Sequence, residues 1–207
     1  MLKLLGKASS INVRKVLWTS HELALPLTRE DWGSGFRSTQ TPEFLALNPN
    51  GLVPVLIDGD RVLWESNTIC RYLAGREGRQ DLLPTEPGAR AAVEMWMDWQ
   101  ATDLNNAWRY VFMSRVRQDP AYQDPERLAA AEREWNRLMG MLEQHLAQGN
   151  AYIAGTTFSL ADVVIGLSLN RWLMTPFSRP DYPGLQGYLQ RLQQRPGFLL
   201  YGANGLP

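Results

Sequence analysis

The apolar positions of the chain follow two rhythms: short β-type runs mixed with helical stretches over residues 1–76, and helical spacing alone over residues 89–207. Residues 2–5 (Leu-Lys-Leu-Leu) read as a strand stopped at Gly6. Residues 12–23 read as a helix whose Val13, Val16, Leu17 and Leu23 share one face. Residues 26–28 give a second strand, residues 33–41 a Gly/Ser-rich loop and residues 42–47 a helical turn. Val55-Leu56-Ile57 and Arg61-Val62-Leu63-Trp64 are two apolar runs separated by Asp58-Gly59-Asp60. A Gly-centred turn of that length predicts a hairpin. Ile69, Cys70 and Leu73 then recur at helical spacing behind Glu65-Ser66-Asn67, with Ser66 as the expected cap.

Residues 77–88 are polar, contain Pro84 and Pro87, and read as a linker. Residues 89–117 predict one long helix. Its Met95, Trp96, Trp99, Leu104, Trp108 and Phe112 cover more than one face, as expected of a helix packed on two domains. Pro120 and Pro125 bracket a break. Leu128, Trp135, Leu138, Leu142 and Leu146 then keep close to a 3.6 period to Gln148, where Gly149-Asn150 stops the helix. Phe158-Ser159-Leu160-Ala161-Asp162-Val163 has the form of a capping box with a hydrophobic staple. The helix it opens runs to about Leu173, a last helix spans residues 184–195, and residues 196–207 form a tail. The fold class is therefore α/β plus all-α: a domain of order βαβαββα over residues 1–76, a linker at 77–88, and an all-helical domain over 89–207.

Composition narrows the function. Twenty-one basic residues balance 21 acidic ones, which argues against nucleic acid as the main partner. No run approaches a membrane span, and the first residues are too short in apolar length for a signal peptide, so a cytoplasmic protein is expected. A single cysteine, Cys70, excludes an internal disulfide and reads as a small buried hydrophobe. His21 and His145 lack metal-ligand neighbours, so neither a metal site nor a His-based hydrolase is expected.

The chemistry concentrates between residues 48 and 73. Pro54 removes a ladder donor where a strand begins. With a cis Val53-Pro54 bond, the Val53 main chain would face outward as an unpaired edge able to pair with an extended peptide. The helix start after Glu65 offers free N–H groups for a carboxylate, and Glu65 an acid for an amine. The same residues fit an ordinary hairpin leading into a capped helix equally well. The motif Asn-Pro-x-Gly-x-Val-Pro-Val-Leu, followed by Leu-Trp-Glu-Ser-Asn-x-Ile, resembles the glutathione-binding half of the cytosolic glutathione S-transferases. That resemblance implies a thioredoxin-like first domain, glutathione as co-substrate, a cis Val53-Pro54 bond, pairing of Val53 with the cysteinyl part of glutathione, and Glu65 and Ser66 at the γ-glutamyl group. The implied glutathione-binding set is Leu52, Val53, Pro54, Glu65, Ser66 and Asp103, the last through a partner subunit of a homodimer, although Asp103 fits a solvated surface acid equally well. Members often carry Lys, Gln or His just before Val-Pro, where this chain has Gly51-Leu52.

Transfer needs the thiol as thiolate near neutral pH, below its ordinary pKa of about 8.5. Hydrogen bonds to sulfur and the field of a helix start lower it. The loop Ser9-Ser10-Ile11-Asn12-Val13-Arg14 resembles theta-like and bacterial members with a Ser or Thr four residues before the basic residue. This selects Ser10 as first donor and Asn12 as second, although Ser and Asn before a helix are also ordinary caps. Arg109, Tyr110 and Met113 are the candidates for a hydrophobic electrophile wall, with Trp108 and Phe112 contributing from an adjacent face, and the electrophile is expected between the two domains; aromatic residues on a helix also fit a core. The expected reaction is attack of the glutathione thiolate on a hydrophobic electrophile. Glutathione-dependent disulfide reduction and a non-catalytic glutathione- or hydrophobic-ligand-binding role remain open.

Overall fold

A computed structural model describes residues 2–207, which form two compact units divided between Leu83 and Pro84. The first holds β1 (Leu2–Leu5), α1 (Ile11–Glu22), β2 (Leu27–Glu30), α2 (Pro42–Leu47), β3 (Val55–Asp58), β4 (Arg61–Trp64) and α3 (Ser66–Arg76). The sheet order is β2-β1-β3-β4. β1 pairs parallel with β2, which requires the crossover that α1 supplies, while β3 pairs antiparallel with β1 and β4. Leu5 stands opposite Val55, and Val55 opposite Trp64, so the strand that follows Pro54 lies in the middle of the sheet. This is the expected thioredoxin-like arrangement.

Leu5, Trp32, Phe44 and Val55 form a buried cluster, with Trp32 and Phe44 rings 5.1 Å apart, and Val53 packs its side chain against it. Ile69, Cys70 and Leu73 are fully buried on α3, matching the predicted apolar spacing. Burial pushes the Cys70 thiol up to about 11, so it is a packed hydrophobe and not a nucleophile. Gly6, at the end of β1, is a place of close approach. A Cβ there would stand 2.5 Å from Val13 Cγ2 and 3.1 Å from Val53 Cβ, so the end of β1, the first turn of α1 and Val53 meet only because position 6 has no side chain.

The second unit is helical: α4 (Pro87–Trp99), a π-helical turn (Gln100–Leu104), α5 (Asn105–Arg115), a short 3-10 turn (Pro120–Tyr122), α6 (Pro125–Ala147), α7 (Leu160–Met174), α8 (Pro183–Leu192) and α9 (Pro196–Tyr201). The single helix expected over residues 89–117 is thus broken in hydrogen-bond pattern by the π turn. The expected tail contains α9, which starts at Pro196 as prolines at a first helical position do. α7 is buried almost all round, and its start is built on Asp162. Asp162 Oδ1 accepts from the Ile153 amide (2.9 Å) and the Tyr188 hydroxyl (2.8 Å). Oδ2 accepts from the Ser159 amide (2.8 Å) and the Ser159 hydroxyl (3.1 Å). Full burial holds this carboxyl up at about 6 although all four donors pull the other way.

Asp162→Ala leaves two buried amides and a buried tyrosine hydroxyl without an acceptor. At about 1–3 kcal/mol each, the variant is expected to lose on the order of 4 kcal/mol in urea denaturation. A loss under about 1 kcal/mol would mean that Asp162 does not hold the start of α7.

Candidate active site

Val53-Pro54 is cis, and neither the amide nor the carbonyl of Val53 has a backbone partner among the described residues. The loop before it is tied by Asn48, which is 3% exposed. Asn48 Nδ2 donates to the Leu52 carbonyl (2.7 Å), and Oδ1 accepts from the Asn50 amide (3.0 Å). Gly51 turns there at φ +61°, where a Cβ would strike Gln40 Nε2, and the Gln40 amide donates to the Gly51 carbonyl at 3.5 Å. On the other side, Glu65 ends the turn after β4 at φ 70°, ψ 109°, a costly conformation for a residue with a Cβ. Glu65, not Ser66, takes the cap position of α3: its carbonyl accepts from the Ile69 amide (2.9 Å), and Ser66 is the first helical residue. The strained turn places the exposed Glu65 and the first residue of α3 on the same cleft as Val53.

Asn12, Leu52, Val53, Pro54, Glu65 and Ser66 line one small cleft of about 70 Å³, together with Asn48. Six of the expected site residues therefore come together. Asn48 was not expected. Its signal was present, as the first residue of the Asn-Pro-x-Gly motif, but its work is to shape the loop. Ser66 Oγ donates to Asn12 Oδ1 (3.4 Å), and Lys15 Nζ donates to Asn67 Oδ1 (3.2 Å), so the first turns of α1 and α3 are joined by two side-chain bonds. Arg14 and Lys15, 1% and 2% exposed, add two buried cations to that turn of α1. Desolvation lowers Arg14 to about 10, still charged at neutral pH.

Ser10 is half-buried at the cap position of α1 and does not line the cleft. Its carbonyl accepts from the Arg14 amide (2.9 Å), but its hydroxyl makes no capping bond, unlike Thr41 on α2. In the second unit the wall candidates do not share one surface. Trp108 and Phe112 meet edge to face at 5.5 Å, with the Arg171 guanidinium 4.3 Å from both ring centroids. Tyr110 instead packs on Tyr122 and lines, with Asp103, an open groove of about 490 Å³ between α5 and α6. Arg109 is exposed and Met113 half-buried. Asp103 stands in the π turn and accepts from the Thr102 hydroxyl (2.9 Å). Among the described residues no group of three or more acidic, His or Cys side chains is placed to hold a metal ion.

Two family models match the chain: "Glutathione S-transferase, N-terminal domain" over residues 9–76 and "Glutathione S-transferase, C-terminal domain" over residues 105–196. The chain belongs to the glutathione S-transferase family. It is 38% identical to glutathione S-transferase GstB of Escherichia coli over 95% of both chains. It is 34% identical to glutathione S-transferase 3 of Zea mays over 95% of this chain and 91% of that one. Among solved structures, the theta class glutathione S-transferase of Xanthomonas axonopodis pv. citri with glutathione bound superposes with a TM-score of 0.91 at 37% identity, covering 97% of this chain and 96% of that one. Within this family chain, the cleft at Val53 is the part of the thioredoxin-like unit where main-chain polar groups, a carboxylate and two helix starts converge.

The strain at Glu65 is open to test. Glu65→Gly should raise stability by about 1 kcal/mol in urea denaturation, because only the backbone penalty is relieved and no capping bond is lost. Loss of stability by that amount would show that the carboxylate, and not the backbone, matters for the fold.

Proposed function

We propose that the chain is a glutathione transferase that joins the glutathione thiolate to a hydrophobic electrophile. The convergence of the unpartnered Val53 main chain with Glu65, Ser66 and Asn12 in one cleft carries this reading. The cysteinyl main chain pairs with Val53, strand to strand. The γ-glutamyl amine meets Glu65, and its carboxylate meets the first amides of α3. At the glycine end, where a basic or amide residue before Val-Pro is missing, Gln40 is the polar side chain held beside Gly51. The sulfur lies at the start of α1, with Ser10 and Asn12 donating to it. That Ser10 is free of capping supports its availability. The helix dipole and the buried charges of Arg14 and Lys15 favour the anion there. The thiol proton leaves to solvent, sulfur attacks the electrophilic carbon, and the leaving group departs with its bonding electrons.

Trp108 and Phe112 form the wall for the electrophile, whereas Tyr110 and Asp103 belong to the α5–α6 groove. We assign that groove to the partner in a homodimer, since Ala130 and Ala131 let a second helix approach closely. A cytoplasmic setting suits a glutathione-dependent enzyme with a single buried, unreactive cysteine; no helix among the described residues is long and apolar enough to cross a membrane. One observation favours a second reading, disulfide reduction with glutathione. Asn12 lines the cleft and Ser10 does not, and an Asn at this position resembles bacterial members with that activity.

Conjugation of a chlorodinitrobenzene, compared with reduction of hydroxyethyl disulfide, separates the two. The first reading expects conjugation to dominate; reduction without conjugation would replace it with the second. Ser10→Ala is expected to raise the pKa of bound glutathione, followed by thiolate absorbance against pH, with affinity changed less than about threefold. An unchanged pKa would remove Ser10 from the mechanism.

A further inference from the structure

We propose that Asn50 is a site of spontaneous modification: its side chain cyclises onto the Gly51 amide with loss of ammonia, Asn48 restrains that reaction in the folded protein, and the product loosens the Val53 cleft. The reaction and its restraint stand on the geometry of the loop alone, while the consequence for glutathione rests on the functional reading above. Asparagine followed by glycine suits this chemistry, because no side chain on the second residue hinders its amide nitrogen. The Gly51 nitrogen attacks Asn50 Cγ, its proton leaves with the departing ammonia, and a five-membered succinimide forms. Water then opens the ring at either carbonyl, leaving an aspartate or, with the main chain rerouted through the side chain, an isoaspartate. The sum is amide plus water to carboxylate plus ammonium, with no oxidant or reductant. Asn50 is exposed, so water reaches it. Gly51, for its part, turns at φ +61°, and a Cβ there would stand 2.3 Å from Gln40 Nε2. The loop therefore requires the very residue that makes Asn50 reactive.

Asn48, 3% exposed, holds both reacting groups. Its carbonyl accepts from the Gly51 amide, the nucleophile, at 3.0 Å. Its Oδ1 accepts from Asn50 Nδ2, the leaving group, at 3.2 Å and from the Asn50 amide at 3.0 Å. To attack, the Gly51 nitrogen must give up its hydrogen bond and turn toward Cγ, so the loop has to open locally first. The same Asn48 side chain holds the Leu52 carbonyl through Nδ2 at 2.7 Å. One residue thus couples the chemical fate of Asn50 to the placement of Leu52 and Val53. In the aspartate product a carboxylate faces Asn48 Oδ1, two acceptors with no proton between them. In the isoaspartate product the main chain is longer by one carbon, which carries the Gly51 amide off the Asn48 carbonyl. Either change releases the segment that delivers Val53 to the cleft.

The test follows the whole protein in warm, mildly alkaline buffer. Conversion of Asn50 is read by mass spectrometry of the peptide that contains it, and isoaspartate by enzymatic methyl labelling. Freeing the two reacting groups from Asn48 should speed conversion at least about tenfold, both in Asn48→Ala and in the urea-unfolded parent. Asn50→Gln should block it, since glutamine would have to close a larger ring. Equal rates in the folded and unfolded parent would overturn the restraint. If Asn48→Ala does not fold, amide hydrogen exchange of the parent decides. Protection of the Gly51 amide that matches the slowing supports the proposal, and an unprotected Gly51 amide overturns it. The modified form, separated by its extra negative charge, should bind glutathione at least about tenfold more weakly than the unmodified form. Equal affinity of the two forms would overturn the link to the cleft. Failure of the unmodified parent to bind glutathione would instead remove the functional reading, and the rate comparison would still judge the modification.

Discussion

The site depends on one steric constraint at Gly6, where the end of β1, the first turn of α1 and Val53 are closer together than a Cβ would permit. That approach sets the start of α1 beside the Val53 main chain. The Val53 side chain is meanwhile held by the cluster of Leu5, Trp32, Phe44 and Val55. An extended peptide paired with residue 53 is thus brought within reach of a helix start without any large pocket. The cleft at Val53 is only about 70 Å³, and the Val53 main chain beside it has no backbone partner among the described residues.

Electrostatics and strain are arranged around that edge. Two helix starts face the cleft, and two buried cations on α1 make the surroundings favourable to anions. Glu65 supplies the opposing negative charge from a backbone conformation that the chain adopts at a cost. Two side-chain bonds, Lys15 to Asn67 and Ser66 to Asn12, tie α1 to α3 beside the cleft.

Much of this was legible in the residues. The β3–β4 hairpin followed from its Gly-centred turn, α3 from Ile69, Cys70 and Leu73, and the α7 start from the Ser159–Asp162 spacing, because each is written in local pattern. The outward turn of Val53 was expected only by resemblance, since proline isomer state has no sequence signature. Long-range contacts were invisible. Nothing near Ser66 announces Asn12, 54 positions away. Boundaries also moved. Glu65 took the cap position because the turn after β4 needs a positive φ there, and β2 extends to Glu30 beyond the predicted residues 26–28 because its pairing with β1 runs to Leu5. The π turn at Gln100–Leu104 interrupts a pattern of apolar residues that reads as one continuous helix. Tyr110 and Phe112, two positions apart on α5, lie on different sides of that helix and meet different neighbours.

The central claim is that glutathione lies along the Val53 main chain, and amide hydrogen exchange at Val53 tests it most directly. The claim predicts rapid exchange of this amide in the free protein and strong, saturable protection on titration with glutathione. Binding of glutathione with no protection at Val53 would contradict it.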